Sequence, residues 1–311
     1  MLLLTRSEIE RLLSPSDYIG LIEDAFAAYA RGETSPSRLC HLDSPPGEFH
    51  IKAAGLGGVV AVKIGACFYD RPATLGLPSI VGVIALFDAA NGQPLLFLES
   101  ATVTRLRTAA ATAVAVRHLA QPDATTLAVL GTGAQASAHI AAIRAVRPIG
   151  RILVWGRDPG KTARFAGEHG AEAARTPSDA SLAADVVVTL TPSTRPFLGL
   201  SDVRPGTLVA AVGSDAPDKR ELHDDLLAAA TLITDVTHQC AEAGELHHRP
   251  ETPVRAELGE VVLGVKAGRE RADEIVVFDS TGTAVQDVAA ALALHAAATK
   301  RGAGRALPLW E

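Results

Sequence analysis

A short glycine-rich segment in the middle of the chain has the residue types and the spacing needed to bind the phosphates of a dinucleotide. It reads Gly131-Thr132-Gly133-Ala134-Gln135-Ala136. In this G-x-G-x-x-A pattern the first glycine permits a tight turn, the second lets the backbone approach a pyrophosphate, and the alanine allows close packing of a helix on a sheet. Because the amino end of a helix offers free N–H groups and a positive dipole, the segment predicts a dinucleotide site between a strand and a helix.

The residues after the next apolar run bear on which dinucleotide is bound. That run ends at Trp155 and is followed by Gly156, Arg157 and Asp158. An acidic residue at the strand tip would bond the adenosine ribose and favour NAD. Glycine holds the tip here, and Arg157 can pair with a 2′-phosphate. Asp158 could still reach the ribose, and Arg157 could be a solvated loop residue. The residues therefore favour NADP slightly and leave NAD open.

A lysine interrupts one of the apolar runs of the first half of the chain. Lys63 lies within Val59–Phe68, which otherwise predicts a buried strand. A charge in such a run is costly unless it is paired or functional. The alternative is a lysine on the exposed face of a half-buried strand. The functional interpretation is favoured.

Strands and helices alternate along the second part of the chain, which begins near Gln121-Pro122-Asp123. The predicted strands are Leu127–Leu130, Ile152–Trp155, Asp185–Leu190, Leu208–Val212, Leu232–Asp235 and Ile275–Phe278. Predicted helices there are Gln135–Val146 and Pro159–His169. Uninterrupted apolar runs are typical of strands buried on both faces. The pattern predicts an α/β fold with a Rossmann doubly wound parallel sheet, in which the glycine loop has the strand–turn–helix context that it requires.

The first part of the chain predicts an α+β domain with an antiparallel sheet. A capped amphipathic helix follows Ser14 and ends near Gly32. Asn91-Gly92 is a strong hairpin signal between two of the strands. The predicted strands are Arg38–Asp43, Phe49–Ala54, Val59–Phe68, Ile80–Asp88 and Pro94–Glu99, and the later helices are Thr104–Leu119 and Ala284–Lys300. The last helix is expected to pack back on this first domain.

Composition excludes several classes of protein. The chain has 311 residues and a formal net charge of −6, without a Lys/Arg cluster, which argues against nucleic-acid binding. No uncharged apolar stretch is long enough to span a membrane, and the apolar N-terminus is too short for a signal peptide. The three cysteines, Cys40, Cys67 and Cys240, are widely spaced and are expected to be reduced thiols. A cytoplasmic location is expected.

The whole chain resembles the ornithine cyclodeaminase/μ-crystallin family. The motifs that carry this resemblance are Ala61-Val62-Lys63, Gly76-Leu77-Pro78, Leu86-Phe87-Asp88, Asn91-Gly92-Gln93-Pro94-Leu95, Leu106-Arg107-Thr108-Ala109-Ala110, the Gly131 loop, Ala211-Val212-Gly213-Ser214-Asp215-Ala216-Pro217, Arg220-Glu221-Leu222, Gly244-Glu245-Leu246 and Phe278-Asp279-Ser280-Thr281-Gly282. They occur in family order. The resemblance implies a Rossmann domain at residues 122–283 and a discontinuous substrate-binding and dimerisation domain at residues 1–121 and 284–311. It also implies a homodimer.

The resemblance implies four cationic substrate residues. Arg107 matches the arginine that binds the substrate carboxylate, a task that suits the planar guanidinium fork. Arg38 matches the family's second substrate arginine, and Lys52 lies in a region of substrate contacts. Lys63 matches the active-site lysine, expected to contact the carboxylate and exchange a proton with the α-nitrogen. For each arginine the alternative is a surface salt bridge.

An aspartate and several loop residues complete the candidate site. Asp215 matches the cyclodeaminase aspartate that contacts the distal amine and acts as base, and a turn-capping role is the alternative. The candidate cofactor contacts besides Arg157 and the glycine loop are Thr108, Thr191, Gly213, Ser214, Ser280 and Gly282. No role is evident for Gly244-Glu245. No metal site is predicted, because adjacent His247 and His248 do not share a helix face.

Three functions follow from the resemblance. The leading hypothesis is an ornithine cyclodeaminase, which converts L-ornithine to L-proline with loss of ammonia through transient hydride transfer to NAD or NADP. The alternative is net redox chemistry, either by an NAD(P)H-dependent reductase of Δ1-pyrroline-2-carboxylate or another cyclic ketimine, or by an alanine dehydrogenase. A non-catalytic NADPH-binding protein like μ-crystallin is the third hypothesis. The expected partner is a small amino acid or cyclic imino acid.

Overall fold

The structure is a computed structural model that describes residues 1–68 and 70–309. Its strands are β1 (Leu2–Leu4), β2 (Arg38–Ser44), β3 (Gly47–Leu56), β4 (Val59–Cys67), β5 (Ile80–Asp88), β6 (Pro94–Glu99), β7 (Thr126–Leu130), β8 (Arg151–Trp155), β9 (Glu172–Ala173), β10 (Val186–Thr189), β11 (Leu208–Ala211), β12 (Thr231–Thr234), β13 (Val254–Glu257), β14 (Val276–Asp279) and β15 (Arg305–Ala306). Its α-helices are α1 (Arg6–Leu12), α2 (Pro15–Ala30), α3 (Arg71–Leu75), α4 (Ser100–Leu119), α5 (Ala136–Arg144), α6 (Pro159–His169), α7 (Pro177–Ser181), α8 (Asp224–Ala229), α9 (Thr237–Ala243), α10 (Leu258–Val262) and α11 (Ala284–Arg301).

Contacts group the chain into two compact units. The first unit contains Met1–Arg107 and Thr283–Glu311, and the second contains Thr108–Gly282. The division proposed from the sequence, at residues 122 and 283, stays a prediction. None of the described helices combines the length and the apolar character that are needed to cross a bilayer.

A seven-stranded sheet forms the first unit, in the order β15-β1-β6-β5-β4-β3-β2. Strands β2 to β6 form a continuous antiparallel meander, which confirms the predicted antiparallel sheet. The Asn91-Gly92 turn joins β5 to β6, and Gly92 has a φ of 75°, a conformation that glycine adopts without strain. The sequence did not predict β1, which pairs in parallel with β6.

Helix α11 supplies the core of the first unit. It contacts α2 and strands β3 to β6, so the prediction that the last helix packs on this domain is confirmed. Alternate residues of β5, such as Ile84 and Leu86, are fully buried because side chains on a strand alternate between faces. Strand β2 lies at the edge of the sheet and is exposed along most of its length.

An eight-stranded, entirely parallel sheet forms the second unit, in the order β13-β12-β14-β11-β10-β7-β8-β9. The predicted doubly wound sheet is therefore confirmed. The chain moves outward from β7 through β8 to β9, and then returns to β10 on the other side of β7. This reversal makes the carboxyl ends of β7 and β10 the switch point at which such sheets bind ligands.

Helix α4 begins at Ser100, four residues before the predicted start at Thr104. The carboxylate of Glu99 explains the difference, because its two oxygens accept hydrogen bonds from the amides of Ala101 and Thr102 at 2.6 and 2.9 Å. A carboxylate at this position satisfies amides that the first helical turn leaves unpaired.

Candidate active site

Lys63 lies in the middle of β4, on the sheet face that α11 covers, and only 7% of it is exposed. The predicted alternative of an exposed lysine is thus excluded. Its Nζ lies 3.0 Å from a carboxylate oxygen of Asp287 and 3.2 Å from the hydroxyl of Thr104. Burial lowers the pKa of Lys63 to about 8, with Arg107 and Lys52 adding to this effect while Asp287 opposes it. A lysine with this pKa can exchange protons near neutral pH.

Arg107 binds the same aspartate from helix α4. Its Nε lies 3.1 Å from Oδ1 of Asp287, and its Nη1 donates to Oε1 of Gln286 at 2.9 Å. Arg107 is 4% exposed. Nη2 has no hydrogen-bond partner among the described residues, so one arm of the guanidinium can bind a further oxygen.

Asp287 is the residue of this site that sequence reasoning missed. It lies in the first turn of α11 and is fully buried. Burial raises its pKa, but Lys63 and Arg107 outweigh burial, and the net pKa is lowered. Lys63 and Arg107 around one carboxylate leave these three residues with a net charge of +1 when Lys63 is protonated, and the charge of Lys52 also acts on them. The available signal was an acid within an otherwise apolar, alanine-rich helix, since such a charge needs a partner.

The register of the antiparallel sheet places the two other cationic candidates, Lys52 and Arg38, on opposite faces. Lys52 lies directly opposite Lys63, and side chains of opposite residues share a face. Lys52 is therefore brought beside Lys63. Arg38 pairs with Ala53, one residue along, so it points to the other face, and it is exposed. The structure does not bring Arg38 to Lys63, and a substrate role for Arg38 stays a prediction that the register does not support.

Asp215 follows β11 at the carboxyl edge of the parallel sheet, as predicted. Its side chain is 46% exposed and lies 2.5 Å from Nζ of Lys219. The neighbouring Ser214 is fully buried and donates its hydroxyl hydrogen to the carbonyl of Lys219.

The glycine loop joins β7 to α5, which is the strand–turn–helix context that the sequence predicted. Gly131 has a φ of 125°, and a Cβ there would lie 2.8 Å from the carbonyl oxygen of Leu190, so only glycine fits. A Cβ on Gly133 would meet nothing within 4 Å, which leaves its backbone open to a ligand. Ala136 begins the helix and is fully buried. This backbone fits the pyrophosphate of a dinucleotide.

Asp158 and Arg157, which follow the tip of β8, differ in their surroundings. Asp158 is the N-cap of α6, and its carboxylate accepts the amide of Lys161 at 2.9 Å. A Cβ at Gly156 would lie 2.9 Å from the hydroxyl of Thr162, so a bulkier residue at the tip would need a shift. Arg157 is exposed. Arg157 is therefore accessible, whereas Asp158 caps a helix, and a contact of either residue with a cofactor stays a prediction.

Thr191 and Gly213, two of the predicted cofactor residues, belong to loops that are hydrogen-bonded to the buried carboxylate of Glu221. Glu221 accepts hydrogen bonds from the amide and the hydroxyl of Thr191 at 2.8 and 2.7 Å. Its other oxygen accepts the amide of Gly213 at 2.9 Å and the hydroxyl of Thr189 at 2.5 Å. Burial raises the pKa of Glu221, and these bonds oppose the rise. Glu221 thus fixes the loops after β10 and β11.

Glu245, for which no role was evident in the sequence, holds the backbone of the segment that contains Glu221. It is fully buried and accepts the amides of Glu221 and Leu222 at 2.7 and 3.2 Å. Asp279 in turn accepts the amide of Glu245 at 3.1 Å. Burial raises the pKa of Asp279 to about 7. A Cβ on Gly244 would lie 2.6 Å from this carboxylate, which explains the glycine. We name Glu221, Glu245 and Asp279 the acid chain.

A separate carboxylate shapes the turn after β14. Asp235 accepts the amide of Gly282 at 2.7 Å and the hydroxyls of Ser280 and Thr281 at 3.2 Å. Ser280 is 3% exposed, and Gly282 has a φ of 72°. Thr108, the last predicted cofactor residue, is 8% exposed within α4. Any contact of these residues with a cofactor stays a prediction.

Three comparisons connect this geometry to known proteins. The sequence profile of the ornithine cyclodeaminase/mu-crystallin family matches residues 1–302. A putative dehydrogenase of Rhizobium meliloti is 37% identical, with 98% of each chain aligned. An ornithine cyclodeaminase of Brucella suis is 31% identical over 93% of this chain and 82% of its own length.

Solved structures of relatives superpose over the full chain. An archaeal alanine dehydrogenase dimer with bound NAD is 30% identical and gives a TM-score of 0.95, covering 100% of this chain and 99% of its own. The Δ1-pyrroline-2-carboxylate reductase of Thermococcus litoralis, in complex with NADH and L-proline, is 28% identical and gives 0.94, covering 99% and 100%.

Proposed function

Because the chain belongs to the ornithine cyclodeaminase/mu-crystallin family, we propose that it is an NAD(P)-dependent enzyme acting at the α-carbon of an amino acid or cyclic imino acid. The observation that carries the proposal is the buried cluster of Lys63, Arg107 and Asp287, whose net positive charge suits one carboxylate. Such a cluster would be costly to retain in a protein that only bound a dinucleotide. The non-catalytic hypothesis is therefore set aside.

Each residue of the cluster has a distinct task in this proposal. Arg107 binds the substrate carboxylate through its unpartnered Nη2, while Asp287 keeps the guanidinium in place. Lys63 donates a proton to the α-nitrogen or accepts one, as its pKa of about 8 permits. Asp287 stays ionised and does not itself exchange the proton, since both cations stabilise its charge.

The loops of the parallel sheet would hold the dinucleotide. The Gly131–Ala136 backbone would bind the pyrophosphate, and the loops fixed by Glu221 and Asp235 would line the rest of the site. When bound, the nicotinamide supplies a hydride to the α-carbon or takes one from it. Arg157 supports the use of NADP, although the relatives named above bind NAD or NADH.

Replacing Arg157 with Ala tests the cofactor assignment. We expect the Kd for NADPH to rise at least about tenfold, because a charge-assisted hydrogen bond to phosphate contributes about 1.5–3 kcal/mol. The Kd for NADH should change less than about twofold. Fluorescence titration of both cofactors measures the two constants, and an equal change in both would show that Arg157 does not read the 2′-phosphate.

Net reduction of a cyclic imino acid, or the reverse oxidation of an amino acid, is the reaction that the site supports best. Asp215 is ion-paired with Lys219, so its use as the base of cyclodeamination would require this contact to be released. Ornithine cyclodeamination is the second candidate, favoured by the presence of an acid at that position. Incubation with L-ornithine and oxidised cofactor separates them. Ammonia and proline formed without a net change in reduced cofactor would establish cyclodeamination, whereas oxidation of NAD(P)H only with a cyclic imine would establish the reductase.

The pH dependence of either redox direction should follow Lys63. Amino-acid oxidation needs a neutral lysine to accept a proton, so kcat/KM should rise with pH through a midpoint near 8. Imine reduction needs the protonated lysine, so its rate should fall above the same midpoint. Initial rates between pH 6 and about 10 measure both curves. Parallel curves in the two directions would show that another group controls the proton transfer.

We extend the proposal to a homodimer. The alanine dehydrogenase neighbour is described as a dimer. The first unit exposes large apolar side chains on its sheet, including Leu42 on the edge strand and Ile64 on β4, which are 56% and 41% exposed. Such side chains are suited to burial against a second copy of the chain.

A further inference from the structure

The β2–β3 hairpin brings three potential metal ligands onto one face of the sheet. His41 lies directly opposite His50 in the antiparallel register. Glu48 lies two residues before His50 on β3, and residues two apart on a strand point to the same side. All three side chains therefore converge although two different strands supply them.

The distances within this group suit a small cation. Nε2 of His50 lies 2.9 Å from Oε1 of Glu48, and Nδ1 of His41 lies 3.8 Å from Oε2. One ligand atom from each residue lies within 4.8 Å of the other two. The imidazole centroids are only 3.9 Å apart, so two protonated rings would repel each other. Nε2 of His50 is buried and makes no hydrogen bond of acceptable geometry among the described residues.

The surroundings leave room for an ion over His50. Its neighbour on β4 is Gly65, and a Cβ there would meet only the carbonyl oxygen of His50, at 3.8 Å. The side chains of His50, Glu48 and His41 are 12%, 26% and 34% exposed, so the group is shielded but reachable from solvent.

We propose that His41, Glu48 and His50 bind a divalent transition-metal cation of the zinc type. Two imidazoles and one carboxylate form an established zinc ligand set, which leaves a fourth position for water. Tetrahedral zinc with bonds of about 2.0–2.1 Å needs its ligand atoms roughly 3.3 Å apart, which small side-chain rotations can reach here. The sequence predicted no metal site because it contains no pair of ligands with helical spacing. Ligands that come together through the pairing of two strands do not show such a spacing.

The ion fastens the exposed edge strand β2 to β3. Among the described strands, β2 pairs with a neighbour on one side only, so a cross-strand metal bond adds directly to its attachment. The site lies on the same sheet face as Lys52 and Lys63, one row of residue pairs beyond Lys52. It contributes no residue to the proposed carboxylate cluster, and its occupancy is therefore separable from the proposed function.

Equilibrium dialysis of the chelator-treated full chain against ZnCl₂ tests the proposal, with metal content as the readout. We expect one tight zinc per chain, a rise in Tm on binding, and loss of both in the double variant His41→Gln/His50→Gln. The control is His247→Gln/His248→Gln, which removes an adjacent histidine pair elsewhere and should keep the zinc. Circular dichroism of each metal-free variant, compared with that of the parent chain, verifies folding.

Other results would overturn the site. They are the absence of one-equivalent binding by the parent chain, retention of zinc by the His41/His50 variant, and loss of zinc from both double variants. As a second measurement, Co²⁺ in the parent chain should give the intense visible absorption of a four-coordinate site. A spectrum typical of hydrated octahedral Co²⁺ would contradict the assigned ligands.

Discussion

Replacing Lys63 with Met is expected to lower kcat by at least about 100-fold, the usual contribution of a general acid–base group. Methionine keeps most of the volume of the buried side chain and removes its charge and its proton. Asp287 keeps Arg107 as a partner, so the fold should survive. Steady-state rates with a cyclic imino acid and NAD(P)H, or with the matching amino acid and NAD(P), measure the effect.

Lys300→Met is the matched control for this variant. Lys300 is an exposed residue in the last turn of α11 and should tolerate the change with full activity. Dinucleotide binding should be the same in both variants, because the glycine loop belongs to the other unit. Retention of more than about half the parent kcat by Lys63→Met would remove the lysine from the proposed proton transfer.

Replacing Asp287 with Asn is expected to reduce the free energy of unfolding by about 3 kcal/mol, because it leaves two buried cations without their counter-charge. Since Asp287 opposes the effect of burial on Lys63, its loss should also move the midpoint of the pH–rate curve below 8. Urea unfolding at pH 7 and rate measurements across pH supply the two readouts. The shifted midpoint separates a positioning role from simple loss of stability.

Asp273→Asn is the control for the aspartate. Asp273 pairs with Arg271, and both side chains are about 70% exposed, so this change should cost less than about 1 kcal/mol. The double variant Lys63→Met/Asp287→Asn should be more stable than Asp287→Asn alone, because it buries only one uncompensated cation. Equal stability of the double and single variants would argue that Lys63 and Asp287 do not interact as an ion pair.

The parallel sheet could be predicted from local sequence because each of its strands carries its own signal. Runs such as Leu127–Leu130 are apolar throughout, and the strand is buried on both faces. The glycine loop could also be predicted from its own sequence, since the roles of Gly131 and Gly133 depend on their own backbone conformation and surroundings. Element ends shifted where a side chain extended the helix, as Glu99 does for α4.

The polar clusters could not be predicted, because they depend on pairing between distant segments. The position of Lys63 in an apolar run indicated that it needs a partner. It did not indicate that the partner is Asp287, which lies 224 residues later. Arg38 pairs with the residue after Lys52, and a difference of one residue in register places a side chain on the opposite face of the sheet. The separation of Arg38 from Lys52 therefore depends on the strand register. No role was evident for Glu245 in the sequence, because its backbone partners, Leu222 and Glu221, lie 23 and 24 residues before it.

The loops at the carboxyl edge of the parallel sheet depend on one another through the three carboxylates of the acid chain. Glu221 holds the loops after β10 and β11, Glu245 holds the backbone of Glu221, and Asp279 holds that of Glu245. None of these segments can be exchanged alone. A chimera that imported the Thr191 and Gly213 loops from a relative is therefore expected to need compatible residues at all three acidic positions.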